Sequence, residues 1–365
     1  MFRSSITFGR HASLVLLRLQ ASQPRCFATV SSSIIAQPPH PPPPPSPEEG
    51  LVDDVPPLLD ARVLQAAARP HATTIGEIVK QYLTSAGTVL DAALPYEPSP
   101  AAERRPRIGD PGESAREVVT VAHVARDGLE HKLTLASGFA LNVRDKGVAG
   151  EGEGETLVLT CAHTLEEART WRLRNWPLLM SAMTNRRTKQ ASGTFVVAGR
   201  GSALKVFPVS RVVSALPRSD LLLLSCALPE GMVRTLPVSP YPAHAGTAIR
   251  AHFVAHDTLR TTEGWNEWIG DTWGKWEAGR VVGYRDFAGR ETEPGTYDAL
   301  SHLLFTPLPT AGSSGGPIID EETGAVVGVM LGTRMDSRVE GSRGWGVPAE
   351  SIFEMFSLPG LEGKK

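Results

Sequence analysis

The chain has 365 residues, with 37 Lys and Arg against 39 Asp and Glu and a net charge of −2, so it carries no single-sign field for nucleic acid or an anionic membrane surface. Its three cysteines, Cys26, Cys161 and Cys226, are too few for a disulfide-stapled secreted domain, and free thiols are expected. No run approaches the roughly 20 apolar residues that span a bilayer, no Cys, His and acid cluster has metal spacing, and no glycine loop cradles phosphate, so neither an integral membrane segment nor a cofactor is expected.

Before Glu48 there is no acidic residue, while Arg3, Arg10, Arg18 and Arg25 are spread among Ser, Leu and Ile. That is the profile of a mitochondrial transit peptide, acid-free and able to form an amphipathic helix. Arg25-Cys26-Phe27-Ala28 reads as a matrix-processing site, which assigns residues 1–27 to the transit peptide and predicts a mitochondrial location. A secretory signal fits less well, because Arg18 interrupts the apolar run Ser13 to Leu17 and no Ala-x-Ala cleavage site follows. Residues 28–56 form a proline-rich linker whose tract Pro41 to Pro45 favours a stiff polyproline spacer.

Residues 57–114 read as a helical and irregular extension. Leu58, Leu59, Val63, Leu64 and Ala67 recur at helical spacing, and so do Ile75, Ile78, Val79 and Leu83 behind a capping Thr74. Such helices can pack on the domain that follows, gate its site or hold the subunits of a homo-oligomer together, and the sequence does not choose. From about 117 onward short runs rich in Val, Leu and Thr alternate with Gly and Pro, as in Val118-Val119-Thr120-Val121 and Gly279-Arg280-Val281-Val282-Gly283-Tyr284. Many short strands with such turns mean an all-β sandwich or barrel.

Three places in this β region carry chemistry. Leu157-Val158-Leu159-Thr160-Cys161-Ala162-His163 is a strand-like run ending in an imidazole. Ser219-Asp220-Leu221-Leu222-Leu223-Leu224 puts an acid at the mouth of a buried strand. Gly312-Ser313-Ser314-Gly315-Gly316-Pro317 sets one hydroxyl in a tight turn, where glycine permits backbone conformations closed to other residues. A serine hydroxyl becomes a nucleophile when an imidazole takes its proton, and the imidazole needs a carboxylate to hold its tautomer. The turn can also aim the N–H groups of Gly312 and Ser314 at one point beside the Ser314 hydroxyl.

With these motifs in the order His, Asp, Ser, the chain resembles the chymotrypsin-like serine proteases, in particular their HtrA-like branch. Ala136-Ser137-Gly138-Phe139 is similar to the strand before the histidine in that family, and Gly344-Trp345-Gly346-Val347-Pro348 to its ending. The resemblance implies two six-stranded antiparallel β-barrels over residues 115–358, with His163 and Asp220 on the first and Ser314 on the second. It implies His163 as general base, Asp220 as its orienter, Ser314 as nucleophile, and Gly312 and Ser314 as oxyanion-hole donors. The implied substrate is a polypeptide. The other readings are a latent barrel acting as a protein-binding scaffold, and a narrow processing enzyme that cuts one partner or itself.

Departures from the family pattern carry further expectations. Ser313 stands where secreted trypsin-type enzymes have an aspartate, so activation by a newly cut N-terminus is not available. With no acid from Thr306 to Ala311, a preference for cleavage after Lys or Arg is not expected. Leu308 and Ala311, with Met330 to Gly332, suggest an apolar or small pocket. Cys161 replaces a small residue beside His163 and either packs quietly or makes the site redox-sensitive. The basic stretch Arg169 to Gln190 either overhangs the cleft or is a solvated loop. Trp265, Trp268, Trp273 and Trp276 either grip an unfolded chain or pack under their own loop. Only 51 residues follow Ser314; they complete the barrel, and no PDZ domain is expected.

Overall fold

The computed structural model describes residues 58–69, 73–108, 116–127, 130–143, 155–182, 192–256, 264–269, 272–337 and 339–358. The expected transit peptide and proline-rich linker lie outside the described residues.

The run Leu221 to Leu224 forms β7 (Leu221–Ala227), which is buried as far as Cys226 and therefore has no solvent face to alternate with. Its neighbours are β4 (Glu155–Cys161) and β6 (Lys205–Leu216), both antiparallel to it. β2 (Val119–Asp127), β3 (Glu130–Leu141) and β5 (Gly193–Ala198) complete the order β2-β5-β6-β7-β4-β3. Pairing of β2 with β3 closes this ring of six. The short strand β8 (Thr235–Leu236) runs parallel to the end of β3.

The second ring is built from β9 (Ala248–Ala255), β11 (Thr272–Arg285), β13 (His302–Thr306), β14 (Pro317–Asp320), β15 (Val326–Ser337) and β16 (Gly341–Pro348). Its order is β11-β13-β16-β15-β14-β9, closed by β9 on β11, with β10 (Asn266–Ile269) and β12 (Glu291–Thr292) alongside β11. The chain thus forms two closed six-stranded antiparallel β-barrels, as the resemblance implies, and closure leaves neither ring a free edge.

Apolar residues of both barrels meet in one buried cluster, in which Phe139, Leu159 and Leu223 of the first pack with Ile319, Val326 and Val347 of the second. The cluster also takes Leu90 and Ala92 of β1 (Leu90–Ala93), which pairs in parallel with β17 (Phe356–Ser357) after a 3-10 helix over Ala349–Met355. The seam on another side is covered by α1 (Leu58–Ala67). Its Leu59, Val63, Ala66 and Ala67 pack with Phe195 and Val197 of β5, and with Val254 and Trp268 of the second barrel. Thr74 caps α2 (Ile75–Thr84) in a capping box with Glu77. Ile75, Ile78 and Tyr82 on its apolar face pack against the first barrel.

α3 (His163–Ala182) takes up the first part of the basic stretch. Trp171 packs against the first-barrel cluster, Arg169 pairs with Glu166, and residues 183–190 lie outside the described residues. Trp268 is buried and its indole N–H donates to the carbonyl of Gly199 at 2.6 Å. Trp265 is half-buried against the second-barrel cluster and Trp276 against the cluster shared by the two barrels. Cys161 and Cys226 are buried free thiols.

Candidate active site

β4 ends at Cys161, and His163 is the first residue of α3. Asp220 occupies the turn between β6 and β7 with φ +55, a left-handed conformation that Asp tolerates better than most residues. The turn brings its carboxylate under the start of α3. Oδ1 accepts the backbone N–H of His163 at 2.7 Å and that of Ala162 at 2.9 Å. Oδ2 lies 2.6 Å from His163 Nδ1. An acceptor-only carboxylate there places the ring proton on Nδ1 and leaves Nε2 as the basic nitrogen.

Burial lowers the pKa of His163, but the hydrogen bond it donates to Asp220 and then the sulfur of Cys161 outweigh this and raise it to about 10. A base works as neutral imidazole, so reaction of this site with a serine-directed fluorophosphonate should rise with pH and continue rising above the ordinary histidine range near 6.5. A pH profile of labelling checks this, and a plateau already reached at pH 7 contradicts it. The same shift has a stability counterpart. A raised folded pKa stabilises the fold fully below about 6.5, and that contribution is lost as pH rises through about 10.

The turn holding Ser314 is braced by the first barrel. Ser137 of β3 donates its N–H to the carbonyl of Ser314 at 2.8 Å and its hydroxyl to the carbonyl of Gly312 at 2.9 Å. Thr160 of β4 in turn donates to the carbonyl of Ser137 at 2.7 Å. Gly315 has φ +84, and a Cβ there would sit 2.3 Å from the Ser137 carbonyl oxygen. This close approach of the two barrels explains the glycine. Gly312 has φ +86 with His256 Nε2 2.6 Å from where its Cβ would be. Among the described residues, no protein acceptor takes the N–H of Gly312 or Ser314. Ser313 is fully buried; its hydroxyl accepts the N–H of Val254 at 2.9 Å and pairs with the Thr310 hydroxyl at 2.9 Å. It is a structural tie within the second barrel.

His163, Gly312 and Ser314 line one cavity of about 530 Å³ together with Thr134, Leu135, Glu167, His256 and the start of α1, Leu58 to Asp60. The structure joins His163 to Asp220 directly. It does not join Ser314 to His163: the Ser314 hydroxyl donates to the carbonyl of Leu331 at 2.9 Å. Of the residues expected to form an apolar pocket, Ala311 lines this cavity, Leu308 is exposed, and Met330 is fully buried in the second barrel. Three contributors escaped the sequence reading. Ser137 carries a faint signal, a polar residue in a strand otherwise apolar. The first turn of α1 carries none, nor does Tyr82 of α2, which burial and the nearby Glu166 and Asp220 push up to about 12.

The family profile for a trypsin-like peptidase domain matches residues 136–329, more than half of the chain, a span that includes His163, Asp220 and Ser314. No curated protein matches the chain. Among solved structures, the Rv3671c protease from M. tuberculosis in its active form is 19% identical, covering 71% of this chain and 86% of that one, with a TM-score of 0.38. The MamO protease domain from Magnetospirillum magneticum is 16% identical over 65% of this chain and 94% of that one, with a TM-score of 0.36. Deg5 is 16% identical over 66% and 86%, with a TM-score of 0.39.

Proposed function

The chain belongs to the trypsin-like peptidase family and is a serine protease, and from that premise we propose that Ser314 is its nucleophile, His163 the general base and Asp220 the residue that orients the base. One observation carries this most: a single carboxylate binds both the Nδ1 and the backbone N–H of His163, whose ring shares a cavity wall with Ser314. His163 Nε2 takes the Ser314 proton as Oγ attacks the peptide carbonyl. The N–H groups of Gly312 and Ser314 hold the oxyanion. His163 then protonates the leaving amine, which departs with the C-terminal part of the substrate. Water, deprotonated by the same ring, hydrolyses the acyl-enzyme to a carboxylic acid and restores Ser314. No step calls on a cofactor.

The leaving amine departs on the imidazole side of Ser314, and Leu58 to Asp60 of α1 line the same cavity as both residues. The extension is therefore part of the substrate cleft in this reading. The substrate is a polypeptide, and the acid-free leader supports a role in mitochondrial protein processing or quality control. A reporter fused behind residues 1–47 should co-localise with mitochondria, and secretion of the reporter would end that part of the proposal. A second reading, a latent barrel that binds without cutting, is favoured by the hydrogen bond that draws the Ser314 hydroxyl to Leu331. Reaction of the full chain with a fluorophosphonate, beside Ser314→Ala, separates the two: labelling of the native form alone supports the hydrolase, and an unlabelled, well-folded native form supports the scaffold.

A further inference from the structure

Both partners of the proposed proton transfer are occupied elsewhere in this structure. The imidazole donates Nδ1–H to Asp220, and in its protonated form it carries a second N–H on Nε2. The group beside that nitrogen is the sulfur of Cys161, at 3.8 Å, and the same sulfur lies 3.7 Å from the Thr164 hydroxyl. Cys161 is fully buried at the end of β4, two residues before His163. The nucleophile's proton is spent on Leu331. That carbonyl is available because the ladder between β15 and β16 shifts register between Met330 and Gly332, which leaves Leu331 without a paired residue.

We propose that Cys161 is a positioning residue: its sulfur accepts the Nε2–H of His163 and keeps the base protonated and apart from Ser314 until a substrate takes over the carbonyl of Leu331. An extended peptide lying beside β15 offers a backbone N–H to that carbonyl. The Ser314 hydroxyl, once displaced, is free to turn into the cavity that His163 lines, and the sulfur, a weak acceptor, yields the ring. This rests on the assignment of Ser314 and His163 above and adds the device that couples their pairing to substrate.

The charged and titratable groups around the ring limit what else can act on it. Asp220 faces Nδ1 from the β6–β7 turn. His123 of β2 is fully buried and pushed down to about 3 by burial, hence neutral. Lys132 of β3 is paired with Glu167 of α3, and Asp60 of α1 and His256 line the same cavity. Tyr82 of α2 is near enough to Glu166 of α3 and to Asp220 for both charges to act on it. The sulfur of Cys161 is the group at Nε2, and it favours the protonated ring.

The test follows His163 itself by NMR titration in the full chain, with fluorophosphonate labelling in parallel. In Cys161→Ala the His163 midpoint should fall, and labelling at neutral pH should rise about three- to tenfold, the range of one net hydrogen bond. Cys161→Ser, whose hydroxyl can occupy the same nitrogen, should keep the native midpoint. A folded Cys161→Ala with native midpoint and native labelling rate overturns the proposal. Should that variant not fold, the S–H vibration is compared by difference Raman between the native chain and His163→Ala. A shifted band supports the contact and an unmoved band overturns it. If no form labels at any pH, the assignment of Ser314 fails, while the His163 midpoint still decides the role of the sulfur.

Discussion

Ser314→Ala should lower kcat for hydrolysis of an unfolded polypeptide by about 10⁶ and abolish fluorophosphonate labelling, as removal of one member of an interdependent catalytic unit does. The substitution removes one oxygen from a half-buried site. Among the described residues the hydroxyl makes one hydrogen bond, to the carbonyl of Leu331, and its loop stays braced through the Ser137 contacts to Gly312 and Ser314. The fold should therefore persist, with unchanged circular dichroism, and substrate affinity should change little because no binding surface is lost. His163→Ala should match it within about tenfold, since neither group acts without the other. Native turnover in Ser314→Ala would remove this residue from the mechanism.

Asp220→Asn should reduce kcat at neutral pH by about 10⁴ with KM nearly unchanged. Asn tolerates the left-handed backbone found at Asp220, φ +55, so the turn is retained. The chemistry is not. Two backbone N–H groups converge on Oδ1, so the amide oxygen must take that place and the NH₂ must face Nδ1. A donor facing Nδ1 forces the ring proton onto Nε2, where it blocks acceptance of the Ser314 proton. Loss of the carboxylate also removes the main stabiliser of the protonated ring, so the His163 midpoint should fall. Measuring kcat, KM and the melting curve together separates this from unfolding. A loss below tenfold in a folded variant would take the orienting role away from Asp220.

How far each contributor could be read from the chain follows from the range of the interaction behind it. Leu221 to Leu224 could be recognised as a buried strand because an unbroken apolar run of that length is a local property. Thr74 and Glu77 announce a helix start for the same reason, since the capping box is complete within four residues. The four tryptophans between 265 and 276 could not be placed, because whether an indole packs or protrudes depends on what lies above it. For Trp268 the answer is the Gly199 carbonyl, 69 positions away in sequence. α1 reads as an amphipathic helix, yet nothing in its pattern tells that its apolar face closes a seam between barrels while its first turn walls the cleft.

The sequence by itself determined the all-β class, the three motifs and their order, because strand propensity, turn chemistry and glycine freedom are set by a residue and its near neighbours. Only the tertiary structure decided which atoms meet. His163 and Asp220 stand 57 residues apart and close to 2.6 Å through the pairing of β4 with β7. Ser314 reaches the same cavity from the other barrel, yet its hydroxyl turns to Leu331 while a sulfur sits beside the basic nitrogen. Hydrogen bonds are made or lost over less than an ångström, and distances that fine between remote residues are fixed by packing.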